Sequence, residues 1–168
     1  LPADTTPSSW ADALMAPLSG RVILCGWSMG AILAWSAACL YPEKVERLVL
    51  FGATPCFVGR PDWPAGMRAS DAAAFREGVA ADPAGTLRRF ITLFNRRDRQ
   101  ARAIVRRLTE EPIPPTPVLL AGLAMLEQTD LRAQIPAIRQ PVLLIHGEND
   151  PLMPPEAARW LADTLPDA

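Results

Sequence analysis

Residues 21–30 read Arg-Val-Ile-Leu-Cys-Gly-Trp-Ser-Met-Gly and join a short apolar run to the motif G-x-S-x-G. The run at residues 22–25 is apolar and begins with two β-branched residues, a pattern typical of a strand buried on both faces. Residues 31–40 contain no helix breaker, so the chain is expected to leave the motif as a helix. A strand, a sharp turn and a helix in this order predict a nucleophile elbow that presents Ser28.

The glycines of the motif, Gly26 and Gly30, stand two residues before and two residues after Ser28. Glycine at both positions is expected to let the strand and the helix approach without a clash around a strained serine. The alternative is a chance match to the motif in a loop, and the flanking strand and helix patterns argue against it.

The composition limits the class of protein. The chain has 168 residues, 49% of them hydrophobic, and a formal net charge of −1, so one domain with a substantial core is expected. No run reaches the ~18 apolar residues of a membrane span, no leader pattern is visible, and the charge argues against general nucleic-acid binding. The three cysteines lack metal-ligand spacing, which predicts reduced, buried thiols in a cytoplasmic protein without a metal.

Apolar patterns predict further elements on both sides of the elbow. Ser9 is expected to end a loop and cap a short helix at residues 10–18. A second strand at residues 47–52 completes a βαβ unit with parallel strands, and a third strand is expected at residues 141–145. A capped helix at residues 155–165 closes the chain.

Residues 53–136 contain no strand-like run and predict an α-helical insertion that forms a lid between core segments at residues 1–52 and 137–168. Ser70 is expected to cap the first of four helices, Asp82 with Pro83 opens the second, and Thr116 with Pro117 opens the fourth. Eight arginines fall between Arg88 and Arg107, opposed only by Asp98. This positive face suggests an acidic partner or substrate, and the alternative is a merely solvated face. In the third helix the arginines expected on that face are Arg99, Arg102 and Arg106.

The elbow, the parallel strands, the helical insertion and the pattern H-G-x-x-D at residues 146–150 resemble the α/β-hydrolase superfamily. More narrowly, the chain is similar to the carboxylesterases that hydrolyse the methyl ester of a pimeloyl group carried on acyl carrier protein in biotin synthesis. The stretches that carry this narrower resemblance are residues 26–30, 53–57, 61–64, 89–90 and 129–132.

The resemblance implies a role for each matching residue. Ser28 matches the nucleophile, the backbone N–H of Met29 matches an oxyanion-hole donor, and Asp150 matches the acid that orients a histidine. No cofactor is implied, and the enzyme is expected to be monomeric when complete. A fourth basic position of the family falls on Gly85. The positions that line the acyl channel are Trp27, Phe75, Phe90, Ile91, Thr92, Leu93, Phe94 and Leu152, and those that meet the acidic carrier protein are Arg89, Arg102 and Arg106.

Parts of the catalytic apparatus have no match. The order in this fold is serine, acid, histidine, whereas the only histidine, His146, precedes Asp150 and is therefore expected to be structural. The catalytic histidine is expected beyond Ala168, and the second oxyanion donor, the early strands and the C-terminal strand are expected outside the sequence. The chain is interpreted as the middle of a larger enzyme, poorly active alone, with its first strand as an exposed apolar edge.

Other interpretations stay open at this point. Asp150 also fits a turn before Pro151, and Phe90 and Phe94 also fit an ordinary core stripe. The chain also fits a generic esterase of small esters, or a non-catalytic fragment that binds an acidic protein through its arginine face.

Overall fold

Three parallel strands organise the part of the chain that the computed structural model describes, residues 6–95 and 100–168. They are β1 (Val22–Trp27), β2 (Val45–Phe51) and β3 (Val142–Ile145), in the order β1-β2-β3. Leu24 pairs with Leu48, and Leu50 pairs with Leu144. The predicted α/β fold with a parallel sheet is confirmed.

Seven α-helices and one short 3-10 helix accompany these strands in the described residues. Four of the α-helices lie between β2 and β3, which confirms the predicted helical insertion. The helices are α1 (Pro7–Met15), α2 (Met29–Leu40), α3 (Ala69–Ala81), α4 (Pro83–Phe94), α5 (Ala101–Glu110), α6 (Thr116–Gln128) and α7 (Pro155–Thr164), with the 3-10 helix at Ile135–Ala137.

Three predicted helix caps are wrong, and one is confirmed. The last helix, α7, is predicted to be capped but begins after Pro154 without a side-chain cap. Helix α1 begins at Pro7 because the Thr6 hydroxyl accepts a hydrogen bond from the Ser9 amide, which places Ser9 inside the helix. Ser70 likewise lies within α3, which begins one residue before it without a side-chain cap. Asp82 caps α4 as predicted, since its carboxylate accepts from the Gly85 amide at 2.9 Å. Arg99, expected on the arginine face, lies outside the described residues.

Helix α2 packs on one face of the sheet, and α1 packs against α2. Trp35 of α2 is fully buried, and alanines on both sides of it let the helix lie close to the strands. The inward side chains of the sheet belong to alternate positions, among them Leu24, Leu48 and Leu50, each less than 9% exposed. This core holds the end of β1 and the start of α2 in place, and with them the turn at Ser28.

The other face of the sheet is apolar and exposed. Ile23 and Leu143 are each 55% exposed, and Cys25 lies on the same side of β1. The prediction that β1 is buried on both faces is therefore wrong, because among the described residues no element covers this side. The prediction that β1 forms an edge of the sheet is confirmed. Cys56 is buried as expected, whereas Cys25 and Cys39 are exposed.

A group of charged side chains ties the two ends of the helical insertion together. We call Arg60, Asp62, Asp130 and Arg132 the Asp130 cluster. The Arg132 guanidinium donates to both carboxylate oxygens of Asp130, at 2.9 and 2.7 Å, and lies 3.0 Å from Asp62 Oδ2. Arg60 approaches Asp130 to 3.5 Å. The hydrogen bonds from Arg132 lower the pKa of Asp130, so the carboxylate stays charged well into the acid range.

None of the helices described here is both long enough and apolar enough to cross a lipid bilayer.

Candidate active site

Ser28 occupies a strained turn between β1 and α2. Its φ of 53° and ψ of −116° make it the one non-glycine residue with positive φ in the described part of the chain. Such a conformation costs on the order of 1–3 kcal/mol and persists only where the surroundings impose it. The Ser28 amide donates to the Phe51 carbonyl at 3.0 Å, and the Ala31 amide donates to the Ser28 carbonyl at 2.9 Å. The predicted strained serine is therefore present.

The two glycines of the motif differ in their steric surroundings. A methyl group on Gly26 would lie 2.5 Å from the Gly30 carbonyl oxygen and 2.7 Å from the Ala31 amide nitrogen. The start of α2 can therefore approach β1 only because residue 26 has no side chain. A methyl group on Gly30 would meet no atom within 4 Å. The prediction of a relieved clash is confirmed for Gly26 and wrong for Gly30.

A cavity of about 920 Å³ lies beside Ser28, between the sheet and the helical insertion. Met29 contributes to its wall as the first residue of α2, where a helix leaves backbone N–H groups without an intrahelical acceptor. Aromatic rings in mutual contact form another part of the wall: Trp27 with Phe94, Phe90 with Phe94, and Phe75 with Phe90.

Five of the eight residues expected at the acyl channel line this cavity: Trp27, Phe75, Phe90, Phe94 and Leu152. Ile91, Thr92 and Leu93 do not line it. Thr92 is exposed and its hydroxyl donates to the Arg88 carbonyl, while Leu93 lines a neighbouring groove of about 480 Å³. The reason is helical geometry, because residues 90 and 94 of α4 share a face and the three residues between them point elsewhere.

Helix α6 supplies a wall that the sequence analysis did not assign to the site. Val118, Leu119, Leu123 and Leu126 line the cavity, and Gly122 faces Met29, since a methyl group there would lie 3.3 Å from the Met29 sulfur. The available signal was the lack of charged residues over residues 117–126. A helix that is apolar on all sides needs cover on more than one face.

Asp150 reaches the same cavity from the turn that follows β3. Its Oδ1 accepts hydrogen bonds from the amides of Leu152 at 2.8 Å and Met153 at 3.0 Å. The carboxylate lies beside the end of β2, since a methyl group on Gly52 would be 3.7 Å from Oδ2, an ordinary van der Waals distance. Ser28 and Asp150, which are 122 positions apart in the sequence, thus share one apolar cavity.

His146 does not line the cavity. Its side chain is 8% exposed, and its Nε2 lies 3.0 Å from the Met153 carbonyl oxygen. The only histidine of the sequence therefore contacts the Asp150 turn, and the described residues bring no imidazole to Ser28. Nor do three or more His, Cys, Asp or Glu side chains converge as a metal site within the described ranges.

The expected carrier-contact arginines lie on the outer surfaces of α4 and α5. Arg89 donates to the Thr86 hydroxyl at 2.8 Å and lies 3.7 Å from Asp82, whereas Arg106 is 3.9 Å from Glu110. Arg102 is exposed. All of these guanidinium groups remain accessible to a partner, because the ion pairs of Arg89 and Arg106 are largely exposed and weak.

A family model described as the alpha/beta hydrolase fold matches residues 10–168. The chain is 45% identical to a pimeloyl-[acyl-carrier protein] methyl ester esterase of Aromatoleum aromaticum, over 97% of this chain and 69% of that protein. It is 46% identical to the protein of the same name from Nitrosomonas europaea, over 90% of this chain and 62% of that protein. The chain thus spans between three fifths and seven tenths of the length of these relatives.

Solved structures show the same fold at lower sequence identity. An esterase from Exiguobacterium antarcticum superposes with a TM-score of 0.84 at 23% identity, over 98% of this chain and 63% of that chain. An enol-lactonase from Burkholderia xenovorans superposes with a TM-score of 0.78 at 20% identity, over 98% of this chain and 64% of that chain.

Proposed function

The chain belongs to the α/β-hydrolase fold family, and on that premise we propose that it carries the nucleophile and the acid of a serine carboxylesterase. The proposed substrate is the methyl ester of a pimeloyl group on acyl carrier protein, and the proposed role is in biotin synthesis. The names of the relatives support this substrate. The observation that carries the proposal is that the strained Ser28 and the hydrogen-bonded Asp150 line one apolar cavity.

In the proposed reaction the Ser28 hydroxyl attacks the ester carbonyl and its proton passes to a base. The Met29 amide donates to the oxyanion that forms on the carbonyl oxygen. Collapse of this intermediate, with return of the proton from the base to the leaving oxygen, releases methanol and leaves an acyl-enzyme. Water then attacks the acyl carbon and releases the free carboxylate with Ser28 restored. This chemistry uses protein groups alone, and Asp150 would orient the base.

The apolar wall of the cavity suits the methylene chain of a dicarboxylic acyl group. Each buried methylene contributes about 0.8 kcal/mol to binding. The affinity for an acyl chain should therefore depend on how many of its methylenes are buried against the rings of Phe75, Phe90 and Phe94. A cavity of about 920 Å³ has room for more than a short free ester.

The proposal predicts a serine that reacts slowly until a base is supplied. Because His146 is held away from the cavity, we expect a fluorophosphonate probe to label Ser28 slowly, as triads that lack a member retain only a residual reactivity. Added imidazole should accelerate the labelling by acting as the missing general base. The measurement is the time course of labelling by intact-protein mass spectrometry.

Two serine variants serve as controls for this measurement. Ser28→Ala should abolish labelling with and without imidazole, and Ser19→Ala, at an exposed serine outside the cavity, should leave it unchanged. Labelling that persists in Ser28→Ala would contradict the proposed nucleophile. Rapid stoichiometric labelling without imidazole would instead show that another group in the chain serves as the base.

We further propose that the exposed arginines of α4 and α5 bind the acidic carrier protein. Replacing both Arg102 and Arg106 by glutamate should weaken binding of the ester-loaded carrier protein about tenfold at low salt, since it turns attraction into repulsion. The loss should shrink as salt is raised. The measurement is a titration of labelled carrier protein by fluorescence anisotropy.

A matched control keeps the same change in net charge. Arg21→Glu combined with Arg139→Glu alters two exposed arginines outside the helical insertion and should leave carrier binding within about twofold. Equal losses in the two double variants would mean that net charge alone governs binding. Imidazole-supported turnover of a free methyl ester should be unaffected by either pair, and a preference for the free ester would favour a generic esterase.

A further inference from the structure

His146 has a buried side chain beside the proposed acid, at the start of the H-G-x-x-D turn, and the proposed reaction does not use it. Its Nε2 is 3.0 Å from the Met153 carbonyl oxygen and 3.8 Å from Asp150 Oδ2. The first distance is a hydrogen bond, and the second is too long to be one. The imidazole is therefore hydrogen-bonded to the backbone of the turn that carries Asp150.

The peptide groups of Met153 are held by two different side chains. The Met153 N–H donates to Asp150 Oδ1 at 3.0 Å, and the Met153 carbonyl accepts from His146. Met153 is 4% exposed, and Pro154 follows it and restricts its backbone to extended conformations. The position of the Asp150 carboxylate thus depends on a residue that His146 holds from the other side.

The hydrogen-bond partners also determine which nitrogen of the ring carries the proton. A carbonyl oxygen can only accept, so Nε2 of His146 must be the donor. Nδ1 is buried and has no hydrogen-bond partner among the described residues. The Nε2–H tautomer gives the ring hydrogen an acceptor, whereas the Nδ1–H tautomer would bury an unpaired N–H, which is costly. The geometry therefore favours the Nε2–H tautomer over the Nδ1–H tautomer.

We propose that His146 is a positioning residue for Asp150. Its Nε2–H holds the Met153 carbonyl, and the amides of Met153 and Leu152 in turn hold Asp150 Oδ1, so that the carboxylate is fixed at the cavity wall. This inference rests on the proposed function only in taking Asp150 as the acid. The structural part of it concerns the turn alone and is tested without any hydrolysis.

Two substitutions at residue 146 separate the hydrogen bond from the packing. His146→Gln keeps an N–H donor near the position of Nε2, whereas His146→Leu keeps an apolar side chain of moderate size and removes the donor. In His146→Leu we expect amide hydrogen exchange of Leu152 and Met153 to accelerate about two- to tenfold, the range expected for loss of one hydrogen bond. In His146→Gln these rates should stay close to those of the unchanged chain. The measurement is amide exchange by NMR, with the central strand β2 as the reference for global unfolding.

A position-specific effect and a general loss of stability give different results. If exchange in β2 rises as much as exchange at Leu152 and Met153, or if the Gln variant behaves like the Leu variant, the positioning role is overturned. A second measurement needs no variant. The ¹⁵N chemical shifts of the His146 ring should report a protonated Nε2 and an unprotonated Nδ1, and the opposite tautomer would also overturn the proposal.

These results are independent of the proposed function. If Ser28 fails to react with the fluorophosphonate probe while the His146 results are as expected, the hydrolase proposal fails and the account of the turn stands. If Ser28 reacts as expected and the exchange rates do not depend on residue 146, the positioning proposal alone fails.

Discussion

Replacing Gly26 by alanine is expected to destroy the turn at Ser28 and to lower the free energy of unfolding by about 3 kcal/mol or more. The new methyl group would lie 2.5 Å from the Gly30 carbonyl oxygen and 2.7 Å from the Ala31 amide nitrogen. Both contacts are with backbone atoms at the start of α2, which cannot rotate away as a flexible side chain can. Either α2 moves from the sheet, or the strained conformation of Ser28 is lost.

The matched control is the same substitution at the other glycine of the motif. Gly30→Ala places a methyl group where no atom lies within 4 Å, and alanine is favoured over glycine within a helix by about 1 kcal/mol. We expect Gly30→Ala to leave stability unchanged or slightly raised. Chemical denaturation measures both effects, and imidazole-supported labelling of Ser28 shows whether the turn survives.

The outcome that contradicts this account is equal behaviour of the two variants. If Gly26→Ala is as stable as Gly30→Ala and Ser28 is labelled at the same rate, the close approach of α2 to β1 is not what the motif requires. If both variants lose labelling without losing stability, the glycines are needed for the local backbone conformation and not to avoid a steric clash between α2 and β1.

Local patterns were enough to predict the elbow and the helical insertion. The signals for these elements, such as an apolar run before G-x-S-x-G or the pair Asp82-Pro83, lie within a few residues of the structure they specify. The predicted cap of α1 failed because two candidates compete over a short distance. Thr6 and Ser9 are both good capping residues, and the proline at position 7 decides between them, because proline is favoured in the first turn of a helix.

The residues of the site were harder to predict than the elements that carry them. Assigning all of residues 90–94 to the acyl channel ignored that consecutive residues of a helix point in different directions, so Ile91, Thr92 and Leu93 lie off the cavity wall. The contribution of α6 depends on how the helices pack over Met29, which no local pattern encodes. The exposed face of the sheet was missed for a similar reason, since an apolar strand sequence does not say which of its faces finds a partner.

The Asp130 cluster brings together residues 61–64 and 129–132, two stretches that are far apart in the sequence and that both carry the narrower resemblance. Arg132 meets Asp130 through hydrogen bonds of 2.9 and 2.7 Å and reaches Asp62 at 3.0 Å. It also lies 5.5 Å from the ring centre of Trp63, within the range of a cation–π contact. The cluster thus closes the helical insertion at the point where its first and last segments meet.

We expect Arg132→Met to lower the free energy of unfolding by about 2 kcal/mol. The side chains of Arg132 and Asp130 are 20% and 29% exposed, so their pairing is stronger than an open surface pair and weaker than a fully buried one. The substitution keeps the apolar stem and leaves Asp130 without its main donor. Arg159→Met is the matched control, because Arg159 and Glu156 are 68% and 61% exposed and their pair should contribute about 0.5 kcal/mol or less.

The pH dependence of stability tests the contact between Arg132 and Asp130 by protonation of the Asp130 carboxylate. Because Arg132 lowers the pKa of Asp130 in the folded chain, the stabilisation is fully present above the ordinary pKa of an aspartate, about 3.9, and is lost as the pH falls through the lowered value. The difference in unfolding free energy between the unchanged chain and Arg132→Met should therefore shrink in acid below about pH 4. Arg159→Met should track the unchanged chain throughout. A difference that stays constant down to the lowest pH at which the chain folds would mean that Arg132 stabilises the insertion through its packing on Trp63 and not through Asp130.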